Sequence, residues 1–126
     1  MTQILSIMLG GALGAVSRYG VSHFIYMICG RGFPYGTLVV NVLGSLLMGY
    51  LSVYLMAKTN IDPALKMAVL VGFLGAFTTF STFSMDTLIL IEAGEVGRAL
   101  LNMFISVSFS LAAVWLGVVL ARSMKF

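Results

Sequence analysis

Four long apolar runs, residues 4–29, 35–57, 67–91 and 99–121, constrain this chain more than any other feature. A helix needs roughly 20 apolar residues to cross the hydrocarbon core, and each run reaches that length. The second and fourth runs carry no charge at all. The first is too long, and too interrupted by Arg18 and His23, to be a cleaved signal peptide. Alternating barrel strands of about 10 residues do not fit unbroken runs either. With 60% hydrophobic and 9% charged residues in 126, the composition is far from that of a soluble domain. The expectation is an all-α membrane protein, a single domain over 1–126 with transmembrane helices at about 4–29, 35–57, 65–91 and 98–122.

The connections are short, about 30–34, 58–66 and 92–98, so no soluble domain hides between spans. Asp62 followed by Pro63 suits a helix start, as N-cap and first helical residue. A lone Cys29 and a lone His23 offer no disulfide and no metal-ligand cluster. The net charge of +3 is not a nucleic-acid signature here: Lys58, Lys66, Arg122 and Lys125 sit at helix ends, where cations anchor at the membrane surface. Those four lie on one side, and Arg31 and Arg98 on the other, with Arg18 inside the first span. So weak a bias permits insertion in both orientations, as well as a single one with the four cations cytoplasmic. Small residues four apart favour close helix contact and association into an oligomer: Gly10 and Gly14, Ser45 and Gly49, Gly72 and Ala76, then Ala113, Gly117 and Ala121.

The chemistry concentrates between Gly72 and Ser84, near the middle of the third run. Residues 79–84 are Thr-Phe-Ser written twice, and five of the seven residues from Thr78 to Ser84 carry hydroxyls. Ser and Thr compete for backbone hydrogen bonds, and Gly72 and Gly75 weaken the helix just upstream. The third helix is therefore expected to kink or break near its middle. Non-helical backbone at that depth survives only buried in protein or lining a watery path. Taken singly, these hydroxyls suit bonds back to helix carbonyls, and the Phe residues suit core packing. Taken together, they set aromatic edges and donors at the depth where polar groups are most costly.

Other polar residues fall on matching stripes. Thr37, Asn41, Gly44 and Ser45 share one face of the second helix, and Asn102, Ser106 and Ser110 one face of the fourth. Asn41 serves equally as interhelical glue or as path lining. Asp86 is the carboxylate within an apolar run and a functional candidate by that fact. Arg18 fits a structural role as well as an anion-attracting one. Hydroxyls, an amide and ring edges are donors or weakly positive, which favours an anion, and no Lys or Arg lies in the central stretch to hold it too tightly.

At this motif the chain resembles the Fluc/CrcB family of fluoride channels. The resemblance spans the chain: Gly10-Gly11-Ala12-Leu13-Gly14 followed by Arg18, the entry Gly36-Thr37-Leu38-Val39-Val40-Asn41, and Gly72 to Ser84. It implies a dual-topology, antiparallel homodimer in the cell (inner or plasma) membrane, passively exporting fluoride from the cytoplasm and protecting against its toxicity. It implies fluoride contacts at Phe80 and Phe83 with Asn41 beside them. Thr37, Ser81, Thr82, Ser84 and Ser110 would be polar pathway residues, with Asp86 and Arg18 as candidates on the same path. A structural Na⁺ at the dimer interface would be held by the backbone carbonyls of Gly75 and Thr78. Asp86 stands where the family's pattern usually has Glu, and Phe104 where some members have Tyr.

A passive pore is physically sufficient. Fluoride enters as neutral HF and dissociates inside, and a negative-inside potential, worth about 2.3 kcal/mol per charge per 100 mV, then drives the anion out. No Gly-rich phosphate loop marks an ATP site, and no enzyme is expected. The main rival is a small four-helix, proton-coupled multidrug exporter, which wants a carboxylate in its first helix; residues 4–29 contain none. A structural subunit of a larger complex is the other, and it does not require five hydroxyls at the bilayer centre.

Overall fold

The computed structural model describes residues 1–125 and is helical throughout. α1 (Thr2–Cys29) and α2 (Tyr35–Ala57) are continuous. The third span, Pro63–Glu92, is assembled from pieces. These are α3 (Pro63–Met67), a π-helical stretch (Ala68–Leu74), α4 (Gly75–Phe77) and α5 (Phe80–Glu92). α6 (Val96–Ser123) is the fourth span. All four spans are long and apolar enough to cross a membrane.

Local chemistry explains the boundaries. Asp62 Oδ1 accepts from the Ala64 amide at 2.7 Å, with Pro63 opening α3. α1 stops at Gly30 and α5 is followed by Gly94, both at positive φ (79° and 78°), where a glycine turns the chain without a Cβ penalty. Arg98 Nη1 then reaches across from the third connection, donating to Gly32 O at 3.1 Å and to Glu95 Oε2 at 3.0 Å. That tie places the first and third connections on one side of the bundle. α1 begins two residues before the sequence expectation, and α6 runs from 96 to 123 against 98–122.

Five of the small glycines make the close helix contacts expected of them. A Cβ on Gly10 or Gly14 would run into the carbonyls of Ala68 or Phe73, and one on Gly72 into the carbonyl of Ile7, so α1 and the first half of the third span pack backbone to backbone. Gly49 and Gly117 do the same for α2 and α6, against the carbonyls of Val114 and Leu46. These contacts lie within one chain. At Gly10, Gly14, Gly49, Gly72 and Gly117, all buried, they bring the chain's own helices together without a second copy.

α5 is the exception to this close packing. It packs more lightly, burying Phe83 and Leu90, and is also tied to α2 and α6 by polar contacts through Asp86 and Thr87. Few apolar side chains are enclosed, Val40 and Leu74 most completely, while Leu9, Leu13, Phe24, Trp115 and many others face outward. A bundle so thinly cored suits a lipid solvent, in which exposed apolar side chains need no burial.

Candidate functional site

The third span breaks where the Thr-Phe-Ser repeat begins. Thr78 (φ −81°, ψ 156°) and Thr79 (φ −151°, ψ 113°) are extended between α4 and α5. An extended dipeptide in mid-span takes its peptide groups out of the helical ladder, and the polar groups of Thr79 find substitute partners. Asn41 on α2 takes both backbone polar groups of Thr79: its Oδ1 accepts from Thr79 N at 2.7 Å and its Nδ2 donates to Thr79 O at 2.9 Å. Thr79 is also the N-cap of α5, its hydroxyl accepting from Thr82 N at 3.2 Å and donating to Thr82 Oγ1 at 3.0 Å. Upstream, Thr78 Oγ1 donates to Leu74 O at 3.1 Å.

These substitutions free two carbonyls. In a continuous helix Thr79 N would bond Gly75 O, and Thr82 N would bond Thr78 O. Both amides are diverted, the first to Asn41 and the second to the Thr79 hydroxyl. Among the described residues no group of three His, Cys, Asp or Glu gathers for a metal. Uncommitted carbonyl oxygens are the donor set a hard cation such as Na⁺ accepts. The residues thus fit the ion that the resemblance implies.

Beside the break lies a groove of about 300 Å³ between α2, α5 and α6, lined by Asn41, Thr79, Phe80, Phe83, Ser106 and Ser110 among others. Phe80 and Phe83 meet with ring centroids 5.4 Å apart and planes tilted by 50°. Their environments differ sharply: Phe80 is 76% exposed in the single chain, and Phe83 9%. Asn41 has one amide hydrogen left after serving Thr79, and Ser110 makes no hydrogen bond among the described residues. The groove therefore offers two aromatic rings, an amide hydrogen and the hydroxyls of Ser45 and Ser110, and no fixed charge.

Asp86 stands apart, one turn on, in a smaller cavity of about 210 Å³ with Tyr26, Arg31 and Phe33. Thr37 donates its hydroxyl to Asp86 Oδ2 at 2.6 Å and meets Tyr26 Oη at 3.3 Å. Since the single Thr37 hydrogen is on the carboxylate, Tyr26 is the donor in the second bond. Arg31 lies over the Tyr26 ring, 4.8 Å from its centroid.

The structure thus groups Asn41, Phe80, Phe83 and Ser110 in one groove, and places Asp86 in another, where buried Thr37 bonds to it without lining the cavity. Ser81 and Thr82 are exposed on α5 and line neither. Ser84 is also exposed, and its hydroxyl donates to Phe80 O at 2.9 Å, as a helical serine commonly does. Arg18 is half-buried on α1, outside both linings. Gly75 is exposed on the outer side of the third span, and Phe104 points outward at 70% exposure. Sequence reasoning passed over Thr79 and Tyr26. Thr79 was visible as the first residue of the repeat, where a hydroxyl before a helix start signals an N-cap. Tyr26 carries no local signal.

Fold and site together define a four-span membrane protein whose interrupted third span opens onto an uncharged, donor-lined groove. Residues 5–118 match the family model described as CrcB-like protein, Camphor Resistance (CrcB), and the chain belongs to that family. It is similar to three proteins named fluoride-specific ion channel FluC. With the one from Methylococcus capsulatus it is 54% identical over 94% of its own length and 52% of the relative's, so it spans about half of that protein. With those from Magnetococcus marinus and Coxiella burnetii it is 52% and 46% identical, over 95% and 96% of this chain and 98% of each relative. All three are named as channels, and none as an enzyme.

Proposed function

We propose that this protein is a passive fluoride channel of the bacterial inner membrane, carrying F⁻ out of the cytoplasm and so limiting its toxicity. The observation that carries this is the break at Thr78–Thr79. It puts an extended peptide at mid-span, clamps it with Asn41, and opens beside it a groove whose polar character is donors and ring edges without a fixed charge. A dehydrated anion is stabilised by such groups and still leaves, because no ammonium or guanidinium holds it there. The exporter reading has no comparable support: α1 contains no Asp or Glu to carry protons.

The working unit is an antiparallel pair of identical chains. Ser81, Thr82 and Gly75 face outward from the middle of the third span, where bare polar groups against lipid are expensive. A second copy of the same broken span, reversed, covers them with matching polarity. The weak bias of positive charge between the two sides, four cations against two, tolerates both insertions. In that pair the carbonyls of Gly75 and Thr78 would hold a structural Na⁺. Bound there, the ion supplies positive charge that fastens the two breaks together. Thr79 and Asn41 do the preparatory work, since their hydrogen bonds keep the amides from recapturing those carbonyls.

The direct experiment is fluoride efflux from liposomes holding the purified protein, read with a fluoride electrode, with chloride-loaded liposomes alongside. Rapid, fluoride-selective, voltage-driven release is expected. Release indistinguishable from protein-free liposomes would remove the channel reading.

A further inference from the structure

Asn102 on α6 is 2% exposed, one of the most completely buried side chains in the protein, and the groove's lining does not include it. It makes two hydrogen bonds in a chain of three that runs in one direction. Ser106 Oγ donates to Asn102 Oδ1 at 3.1 Å, Asn102 Nδ2 donates to Thr87 Oγ1 at 3.0 Å, and Thr87 Oγ1 donates to Phe83 O at 2.8 Å. The direction follows from the donor inventory, because a hydroxyl has a single hydrogen. With the Thr87 hydrogen on Phe83 O, its oxygen accepts the Asn102 amide. The Asn102 carbonyl then faces Ser106, whose only hydrogen turns onto it and out of the groove.

We infer that Asn102 is a positioning residue of the permeation path: through Thr87 it holds the helical turn that carries Phe83, and it turns the Ser106 hydroxyl hydrogen away from the groove. The inference rests on the channel reading given above. Its physical content is twofold. Beside its buried Phe83 and Leu90, α5 is tied to α2 through Asp86 and to α6 through Thr87, and the Thr87 tie helps fix the rotation of that helix. Phe83 is nearly buried while Phe80, three residues earlier, is not, and the Asn102 tie lies on the Phe83 side. A threonine bonded back to the carbonyl four residues earlier also bends its helix, and the added Asn102 donor fixes the rotamer in which it does so. Turning Ser106 away leaves Ser110 as the α6 hydroxyl free to donate into the groove. On the α6 wall a passing anion therefore meets the Ser110 donor and a Ser106 lone pair, with Ser45 on α2 opposite.

The test is fluoride efflux from liposomes for the parent, Asn102→Leu, Thr87→Val, Thr87→Ser and the Asn102→Leu/Thr87→Val double variant, each first checked for folding by size-exclusion profile. Thr87→Val keeps the shape and removes the hydroxyl, whereas Thr87→Ser keeps the hydroxyl. Asn102→Leu and Thr87→Val are each expected to lower flux about tenfold or more, with the double variant no worse than the poorer single one, since residues acting through one chain are not additive. Thr87→Ser should stay within about threefold of the parent, a rescue that loss of packing would not give. Should Asn102→Leu fail to fold, the Thr87→Val and Thr87→Ser pair decides alone. Parental flux in Thr87→Val, equal loss in Thr87→Ser, or losses that multiply in the double variant would each overturn the inference while leaving the channel standing. A parent that carries no fluoride overturns the channel reading and this inference with it.

Discussion

Asn41 binds both backbone polar groups of Thr79, its Oδ1 at 2.7 Å from the amide nitrogen and its Nδ2 at 2.9 Å from the carbonyl oxygen. One side chain on α2 thereby replaces what a helix would have supplied to that residue. Without it the extended segment would be left bare in the interior, since Thr79 is only 6% exposed. An unsatisfied buried amide or carbonyl costs about 1–3 kcal/mol. Asn41→Leu strands the Thr79 amide, while Thr79 O keeps its place as the N-cap carbonyl of α5, unless the break closes into helix and removes the groove. Either way, fluoride flux should fall by at least an order of magnitude and the thermal midpoint should drop. A variant with parental flux and parental midpoint would show the clamp to be dispensable.

The two phenylalanines should respond differently to one substitution. Phe80→Ile and Phe83→Ile both keep bulk and lose the positive ring edge, so flux is expected to fall by orders of magnitude in each. Only Phe83 is buried within its own chain, so only Phe83→Ile should also disturb the chain's own packing, by about 1 kcal/mol, as shape changes in a packed interior do. Phe73, which stacks on Phe77 with centroids 5.9 Å apart and lines neither groove, is the control. Phe73→Ile should conduct close to normally. If both repeat variants conduct like the parent, the rings only pack and the ion passes elsewhere.

Glycines that look alike in the sequence should separate into two kinds. On Gly14 a methyl group would meet the Phe73 backbone, which cannot withdraw as a flexible side chain can, whereas Gly20 has open space. Gly14→Ala should push α1 away from the third span and cost about 1–3 kcal/mol or more. Gly20→Ala should be neutral or stabilising by about 0.5–1 kcal/mol, because alanine favours helix. Thermal unfolding of the two variants in one detergent checks this, and equal midpoints would contradict the packing described.

Much of this was legible in the sequence, and the remainder has physical reasons for being hidden. The spans could be seen because a membrane helix needs an uninterrupted apolar run, a local property. The break could be foreseen because Gly72, Gly75 and the hydroxyls of 78–84 each weaken helix on the spot. The π-helical winding over Ala68–Leu74 could not, since it accompanies the backbone contact of Gly10, Gly14 and Gly72, which joins helices some sixty residues apart in the chain. The glycines themselves could be noticed, but sequence spacing cannot tell a contact within a chain from one between chains. Asn102 and Ser106 were visible as a stripe, while Thr87, their partner, looked like any helical threonine. Tyr26 shows the same limit, as only the fold brings its hydroxyl to Thr37.

Orientation in the membrane gives a prediction that uses charge alone. Lys58, Lys66, Arg122 and Lys125 oppose Arg31 and Arg98, a difference too small to fix one insertion. Carboxyl-terminal fusions to a cytoplasmic and to a periplasmic reporter should therefore both give signal. Adding two lysines beside Lys58 should move nearly all signal to one reporter and, with no opposite partner left, abolish flux. Signal from one compartment alone in the unaltered protein would rule out the antiparallel pair.

Sodium dependence tests the break from its other side. The carbonyls of Gly75 and Thr78 lack the amides of Thr79 and Thr82 because Asn41 Oδ1 and Thr79 Oγ1 hold those amides instead. Freed oxygens doubled across a pair of chains suit a hard monovalent cation and offer nothing to a thiolate-seeking metal. A ligand bound only by the folded pair stabilises it by mass action, about 2.7 kcal/mol at a hundredfold excess over its dissociation constant. The thermal midpoint should therefore rise when N-methylglucamine is exchanged for Na⁺, and crystallographic density with oxygen ligands alone should lie between the two breaks. Asn41→Leu supplies the discriminating control, because it releases the Thr79 amide to return to Gly75 O. Its midpoint should be both lower and insensitive to Na⁺. A parent that melts at the same temperature in both salts, with no density at the break, would show that these carbonyls hold no ion and that the pair is fastened by its side chains alone.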